Sequence, residues 1–278
     1  MHKNQLVAPV VKWVGGKRQL IDSLMEILPP KKSPYCEPFV GGGALLFKLQ
    51  PTTAYINDTN EELINLYEII RDDVDSLISE LENHKNTSEY FYSVRDWDRN
   101  ESKYNKLSKV KKAARVIYLN KTCYNGLFRV NNAGEFNVPF GYYKSPNFVN
   151  APVLKAVHSY LNSAKIRITC GDYYDMVTKL PRGSFVYFDP PYDPVSSTAN
   201  FTGYTKGGFS KEEQIRLKEC CDELTNRNIK FMLSNSSTDF IKNLYNNYNI
   251  TTVKAKRAIN SNSSKRGEID EVVVRNYE

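Results

Sequence analysis

The chain predicts an α/β fold built on a mainly parallel sheet. Three observations support this: short apolar strand-like runs alternate with helical patterns, two of the runs end directly in a glycine or proline motif, and the end of the chain reads as a hairpin. Tyr35-Cys36-Glu37-Pro38-Phe39 is the first strand, and Gly41-Gly42-Gly43 leads from it into a helix at Ala44-Leu45-Leu46-Phe47. Ala54-Tyr55-Ile56 is the second strand and runs into Asn57-Asp58. Residues 61–70 have helical text, but from 61 to 149 the strand and helix alternation fails, and the segment turns polar, aromatic and turn-rich, as an insertion does. Alternation resumes with the apolar strands 185–188 and 230–233. Finally, Ile250-Thr251-Thr252-Val253-Lys254-Ala255 and Glu271-Val272-Val273-Val274-Arg275 flank a polar Asn260-Ser261-Asn262-Ser263-Ser264 stretch, which predicts an antiparallel hairpin with a long, mobile loop.

At 278 residues the chain has room for one large domain or two modest ones. Its 41% hydrophobic and 25% charged residues are those of a soluble globular protein. No run approaches the roughly 18 apolar residues of a membrane span, and Met1-His2-Lys3-Asn4-Gln5 lacks a signal-peptide core, so a cytoplasmic protein is expected. The five cysteines, Cys36, Cys123, Cys170, Cys220 and Cys221, show no zinc spacing and read as structural thiols. The three histidines, His2, His84 and His158, have no nucleophile elbow to serve, so neither metal catalysis nor triad hydrolysis is expected. Residues 61–100 carry four Lys/Arg against eleven Asp/Glu, whereas 101–149 carry nine against two. Tyr104, Tyr118, Tyr124, Phe128, Phe136, Phe140, Tyr142 and Tyr143 interleave the basic block, which suits a phosphate backbone with bases to stack upon. The alternative is a solvated lysine-rich helix around 103–112.

Asp189-Pro190-Pro191-Tyr192, reached straight from the strand at 185–188, has the groups needed to methylate a planar exocyclic amine. The lone pair of such a nitrogen is delocalised into the ring, and accepting hydrogen bonds from both N–H groups localises it. The Asp189 carboxylate and the Pro190 carbonyl can do this together, because two prolines fix the turn, while Tyr192 offers a stacking face. The same text is also an ordinary strand-ending turn. Glu37-Pro38-Phe39-Val40-Gly41-Gly42-Gly43 permits close approach of a ligand but lacks both the dinucleotide spacing and the phosphate-loop ending, as does Lys17 after Gly15-Gly16. Asp58, at the end of the second strand, can bind both hydroxyls of a ribose. Together these fit an adenosine without phosphates, and S-adenosylmethionine adds a methyl group and a charged end suited to Lys17 and nearby carboxylates. The plainer alternatives are glycines that relieve helix packing and an Asp58 that caps the next helix.

In this order the motifs resemble the adenine-N6 DNA methyltransferases of the Dam and Dpn type, the D12 class, alpha group, which recognise GATC. The resemblance rests on Lys12-Trp13-Val14-Gly15-Gly16-Lys17, the Glu37 to Gly43 motif, Asn57-Asp58, Tyr124-Asn125-Gly126-Leu127-Phe128-Arg129 and Gly134-Glu135-Phe136-Asn137-Val138-Pro139-Phe140-Gly141. It continues through the Asp189 turn, Ala199-Asn200-Phe201-Thr202 and Leu233-Ser234-Asn235. It implies a Rossmann-like S-adenosylmethionine-dependent methyltransferase sheet, residues 1–60 and 150–278, with an inserted, mainly helical target-recognition domain, 61–149. Trp13, Lys17, Glu37, Pro38, Phe39, Gly41, Gly43, Asp58 and Asp189 are implied to line the cofactor site, with Asp172 and Tyr173, after the next strand, near its adenine. Asp189, Pro190, Pro191 and Tyr192 are the implied catalytic set. On the DNA side, Lys12 and Arg129 are implied to meet guanine edges, Leu127 and Pro139 to make apolar contacts, Pro139 with a thymine methyl, and Tyr124 with Asn125 to enter the helix beside the target adenine. Asn137 and Tyr143 complete the DNA-binding set.

The expected function is transfer of a methyl group to N6 of adenine in duplex GATC by base flipping, without a metal. The expected product of the cofactor is S-adenosyl-L-homocysteine. The chain is expected to act as a monomer, with any restriction endonuclease of the same site sharing only the DNA. The same chemistry on another DNA site, on cytosine N4 or on RNA adenine stays open, as does a non-catalytic DNA-binding module.

Overall fold

The computed structural model describes residues 3–13, 15–17, 20–195, 209–256 and 268–278. Val14, the Ala199-Asn200-Phe201-Thr202 motif and the Asn260 to Ser264 stretch lie outside the described residues. In chain order the elements are α1 (Ile21–Glu26), β1 (Tyr35–Glu37), α2 (Ala44–Leu49), β2 (Thr53–Asp58), α3 (Glu61–Asp72), α4 (Val74–Glu82), α5 (Ser88–Arg95), α6 (Glu101–Asn105) and α7 (Lys109–Thr122). There follow α8 (Ala151–Ser163), β3 (Lys165–Cys170), α9 (Tyr173–Val177), β4 (Phe185–Phe188), α10 (Lys211–Asn226), β5 (Lys230–Ser236), α11 (Asp239–Leu244), β6 (Asn249–Lys256) and β7 (Glu268–Arg275).

The strands form a seven-stranded sheet in the order β3-β2-β1-β4-β5-β7-β6. The first five positions pair in parallel, and β7 runs antiparallel to both β5 and β6, as the alternating text at the chain's end predicts. This is the Rossmann-like α/β sheet expected from the sequence. β4 is buried at all four positions, because helices cover both faces of a parallel sheet. Phe185 and Tyr187 face one core cluster, and Val186 and Phe188 face the other, following the two-residue period of a strand. The first cluster continues from the sheet through α2, α3 and α8 into α7, so the segment between β2 and β3 shares apolar core with the sheet.

Local signals set the helix starts in that segment. Asn60 caps α3 through Leu63 N–H at 2.9 Å, with Glu61 and Glu62 in the first turn. Ser108 caps α7 through Lys111 N–H at 3.2 Å. That cap splits the lysine-rich text 103–112: α6 stops at Asn105 and α7 begins at Lys109, where one helix had been the alternative reading. Strand β1 pairs with β4, Tyr35 opposite Phe185 and Cys36 opposite Val186. Strand order reverses between these two, and ligands of open α/β sheets bind beyond the strand ends at such a point.

Candidate functional site

Strand β4 delivers Asp189 to this reversal point. Asp189 Oδ1 meets Lys17 Nζ at 2.8 Å, with the Lys17 side chain only 6% exposed. The same ammonium donates to the Gly15 carbonyl at 2.7 Å and lies 4.5 Å from the centre of the Tyr192 ring. Burial pushes the Asp189 carboxyl up, and the Lys17 charge partly offsets this. Tyr192 Oη donates to Glu271 Oε2 on β7 at 2.7 Å, which orients the ring. The sequence reading set Lys17 beside the charged end of a cofactor; the structure places it against Asp189 and over one face of Tyr192.

A buried polar network holds the turn from behind. Gln214 Nε2 on α10 donates to the Pro191 carbonyl at 3.0 Å, and Asn235 Nδ2 on β5 donates to Gln214 Oε1 at 3.0 Å. Asn235 Oδ1 accepts the Asp193 N–H at 3.1 Å, and Ser236 Oγ donates to the Asp193 carbonyl at 2.7 Å. Gln214 and Asn235 are 1% and 0% exposed, so these bonds form out of water, where a lost partner is costly. No described residue donates to the Pro190 carbonyl or to Asp189 Oδ2. Two acceptors one residue apart are therefore left for a group carrying two N–H bonds.

Beside the turn, the β1 and β2 ends bring two further carboxyls. Glu37 is buried and accepts from Tyr35 Oη at 2.9 Å. Burial pushes it up to about 8; the Tyr35 hydrogen bond opposes this, and the nearby Asp189 charge adds to it. Asp58 accepts from Gly41 N–H and Asn60 N–H, both at 3.0 Å, and burial raises it while these donors hold it back. No described cation pairs with Glu37 or Asp58. Gly41 adopts φ 47°, and a Cβ there would come within 2.9 Å of Trp13 Cδ1, so the tryptophan covers this turn and demands glycine. Gly43 caps α2 in the left-handed region at φ 67°. Asn57, 1% exposed, ties the loops together by donating to the carbonyls of Pro38 at 3.1 Å and Gly171 at 2.8 Å. Phe39 packs on Tyr173 and Phe209 with ring centres 5.1 and 5.9 Å apart. Tyr173 is buried in the second core cluster, and Asp172 both caps α9 and holds Arg216 through two contacts of 2.9 Å.

All eight residues expected to touch DNA fall in one patch. Tyr124 N–H donates to the Pro139 carbonyl at 2.8 Å, and Asn125 N–H donates to Tyr143 Oη at 3.0 Å. Arg129 and Asn137 face each other across a short hairpin, Arg129 Nε to Asn137 Oδ1 at 2.8 Å. Arg129 Nη2 also reaches the Asn137 carbonyl at 3.5 Å, and Arg129 is exposed. Lys12 lies over Gly126, and Leu127 is half-buried against the first core cluster. Tyr124 and Tyr142 are 56% and 76% exposed. Four other aromatics of the basic block correct the sequence reading, since Tyr118, Phe128, Phe136 and Phe140 are buried in the core, and Tyr104 is half-buried against Glu62. Phe128 stacks on Trp13 with ring centres 4.5 Å apart and so connects the 124–129 turn to the Gly41 turn.

Among the described residues, no group of His, Cys, Asp and Glu is arranged to hold a metal ion, and no helix is long and apolar enough to cross a membrane. A family model for D12 class N6 adenine-specific DNA methyltransferases matches residues 13–259. The chain is 44% identical to a Type II methyltransferase of Lactococcus lactis subsp. cremoris, over 100% of this chain and 98% of that protein. It is 44% identical to a Type II methyltransferase of Methanocaldococcus jannaschii, over 98% and 99%. It is 35% identical to the DNA adenine methylase of Escherichia coli K12, over 95% and 93%. With the motifs seated at the sheet's reversal point and the match running nearly end to end, the chain belongs to the D12 class of N6 adenine-specific DNA methyltransferases.

Proposed function

We propose that the protein transfers a methyl group from S-adenosylmethionine to N6 of adenine in duplex GATC, with the adenine turned out of the helix. The observation that supports this most is the pair of acceptors, Asp189 Oδ2 and the Pro190 carbonyl, held rigidly beside Tyr192 and left without described donors. Placed against an exocyclic amine, they accept its two N–H bonds and localise the nitrogen lone pair. The Lys17 charge partly offsets the rise that burial gives the Asp189 carboxyl. Tyr192, its hydroxyl tied to Glu271, presents a fixed ring to a base.

The residues present fit the methyl donor. Asp58 is a half-buried acceptor whose bound N–H groups leave lone pairs free for ribose hydroxyls, and Glu37 is a buried carboxyl that no described cation pairs with, as an amino-acid ammonium requires. When bound, S-adenosylmethionine supplies an electrophilic methyl group on a sulfonium.

GATC is supported by the two cationic readers. Palindromic GATC presents one guanine on each strand, and Lys12 and Arg129 each carry donors for guanine N7 and O6. Tyr124, Asn125, Leu127, Asn137, Pro139 and Tyr143 surround them. On this reading residues 61–149 are the recognition domain, and 1–60 with 150–278 are the catalytic one.

The test is incubation with tritiated S-adenosylmethionine and two duplexes that differ only by GATC or GTAC, followed by nucleoside chromatography. Label in N6-methyladenine from the GATC duplex alone is expected. Label from both duplexes sinks the site, label in another nucleoside sinks the base, and DNA binding without label sinks the activity.

A further inference from the structure

We propose that Asn120, a buried residue of α7, sets the place of Lys12 against the Tyr124–Gly126 turn and thereby decides which base edge Lys12 meets. The inference rests on the reading of Lys12 as a base contact and adds a residue that itself touches no DNA.

Lys12 and Asn120 are 108 positions apart, yet the Asn120 amide bonds the Lys12 main chain in both directions. Lys12 N–H donates to Asn120 Oδ1 at 2.8 Å, and Asn120 Nδ2 donates to the Lys12 carbonyl at 2.7 Å. The second hydrogen of Nδ2 goes to the Gly126 carbonyl at 3.1 Å. One amide therefore fills all three of its strongest bonding directions between two segments, and only an amide offers both an acceptor and two donors there. Asn120 is 1% exposed, and no other described residue bonds the Lys12 main chain. The Lys12 side chain is exposed, so a fixed backbone carries a free ammonium.

The turn also lies close against the lysine stem. Gly126 has φ +65°, and a Cβ there would come within 2.8 Å of Lys12 Cδ and 3.2 Å of the Asn120 carbonyl. The Lys12 stem thus runs over Gly126, beside the residues expected to enter the helix. A carboxamide behind the main chain and a glycine under the stem together fix where the ammonium emerges. Base discrimination depends on that position, because a donor displaced by about an ångström meets a different edge or none.

The experiment uses the full chain and a series of duplexes in which each base pair of the target is replaced in turn, read by initial methylation rates and by equilibrium binding. Lys12→Ala identifies the base pair that Lys12 discriminates, and Arg129→Ala identifies another. Asn120→Asp keeps size and acceptor but sets a carboxylate against two carbonyls. It is expected to lose discrimination at the Lys12 pair by roughly five- to a hundredfold, the worth of one base contact, and to keep it at the Arg129 pair. Gly126→Ala, whose Cβ would displace the Lys12 stem, is expected to lose discrimination at the same pair, and it carries the test if Asn120→Asp fails to fold. A uniform loss over all duplexes, or an unchanged pattern, in whichever variant folds overturns the proposal. If Lys12→Ala itself leaves the pattern unchanged, the assignment of Lys12 as a base contact fails, and the proposal falls with it for that separate, identifiable reason.

Discussion

Glu37 is a carboxyl whose chemistry departs far from its solution behaviour. Its carboxyl, ordinarily near 4.5, is pushed up to about 8 by burial, so over that interval the folded chain holds a proton that the unfolded chain has released. Stability is therefore fullest below the unfolded value, falls as pH climbs toward about 8, and levels off above it. Glu37→Gln keeps the shape and the Tyr35 bond without the ionisation. Its melting temperature is expected to match wild type near about pH 4 and to exceed it increasingly up to about pH 8, as followed by thermal melts across pH. At Asp189, alanine would strand the buried Lys17 ammonium, so asparagine is the sharper probe. Asp189→Asn is expected to lower single-turnover methylation by roughly two to three orders of magnitude while leaving a cooperative melt. The Asp189 turn was legible in sequence because its four residues are contiguous and two are prolines. The Lys17 contact to it was not, because their pairing is made only by the folded chain.

At the scale of elements, hydrophobic text located β1, β2, β4, β5 and β7, since each has buried positions, and β6 by its alternation beside β7. Strand β3 was implied only as the strand before Asp172; its Lys-Ile-Arg-Ile-Thr-Cys text lies at the sheet edge and alternates between exposed and half-buried positions. The lysine-rich text looked like one helix because lysine favours helix throughout, and the serine cap that divides it is a single residue. Helix α10 and strand β5 supply the two amides behind the Asp189 turn, Gln214 and Asn235. Leu233-Ser234-Asn235 was visible as a motif, yet nothing local linked it to Pro191. Gln214→Met retains volume and removes the bond to that carbonyl. It is expected to lower kcat by up to roughly a hundredfold with DNA affinity unchanged, as measured by steady-state rates beside binding titrations.

Over the whole molecule, the acidic and basic halves of the 61–149 segment partly neutralise each other. Arg115 Nη2 meets Asp98 Oδ2 at 2.6 Å with its side chain 5% exposed, and Lys109 reaches Glu68 at 3.4 Å. Asp98 also accepts the Phe136 N–H at 2.8 Å, so this charge pair holds the hairpin that carries Arg129. The net +7 noted between 101 and 149 thus overstates the charge available to phosphates. Arg115→Met leaves Asp98 without its closest cation and is expected to cost about 3 kcal/mol in chemical denaturation. The slope of DNA affinity against salt is expected to stay unchanged, because Arg115 releases no counterions. The apolar cluster that runs from the sheet through α3 into α7 has a consequence for how such enzymes exchange specificity. A graft of the entire 61–149 segment between relatives cuts through shared packing and is expected to melt early or in two steps. A graft confined to 124–143, whose outward residues contribute little to that packing, is expected to keep a single calorimetric transition. Heritable changes of target should accordingly concentrate in the outward residues of that stretch, since its buried Phe128, Phe136, Val138 and Phe140 belong to the shared core.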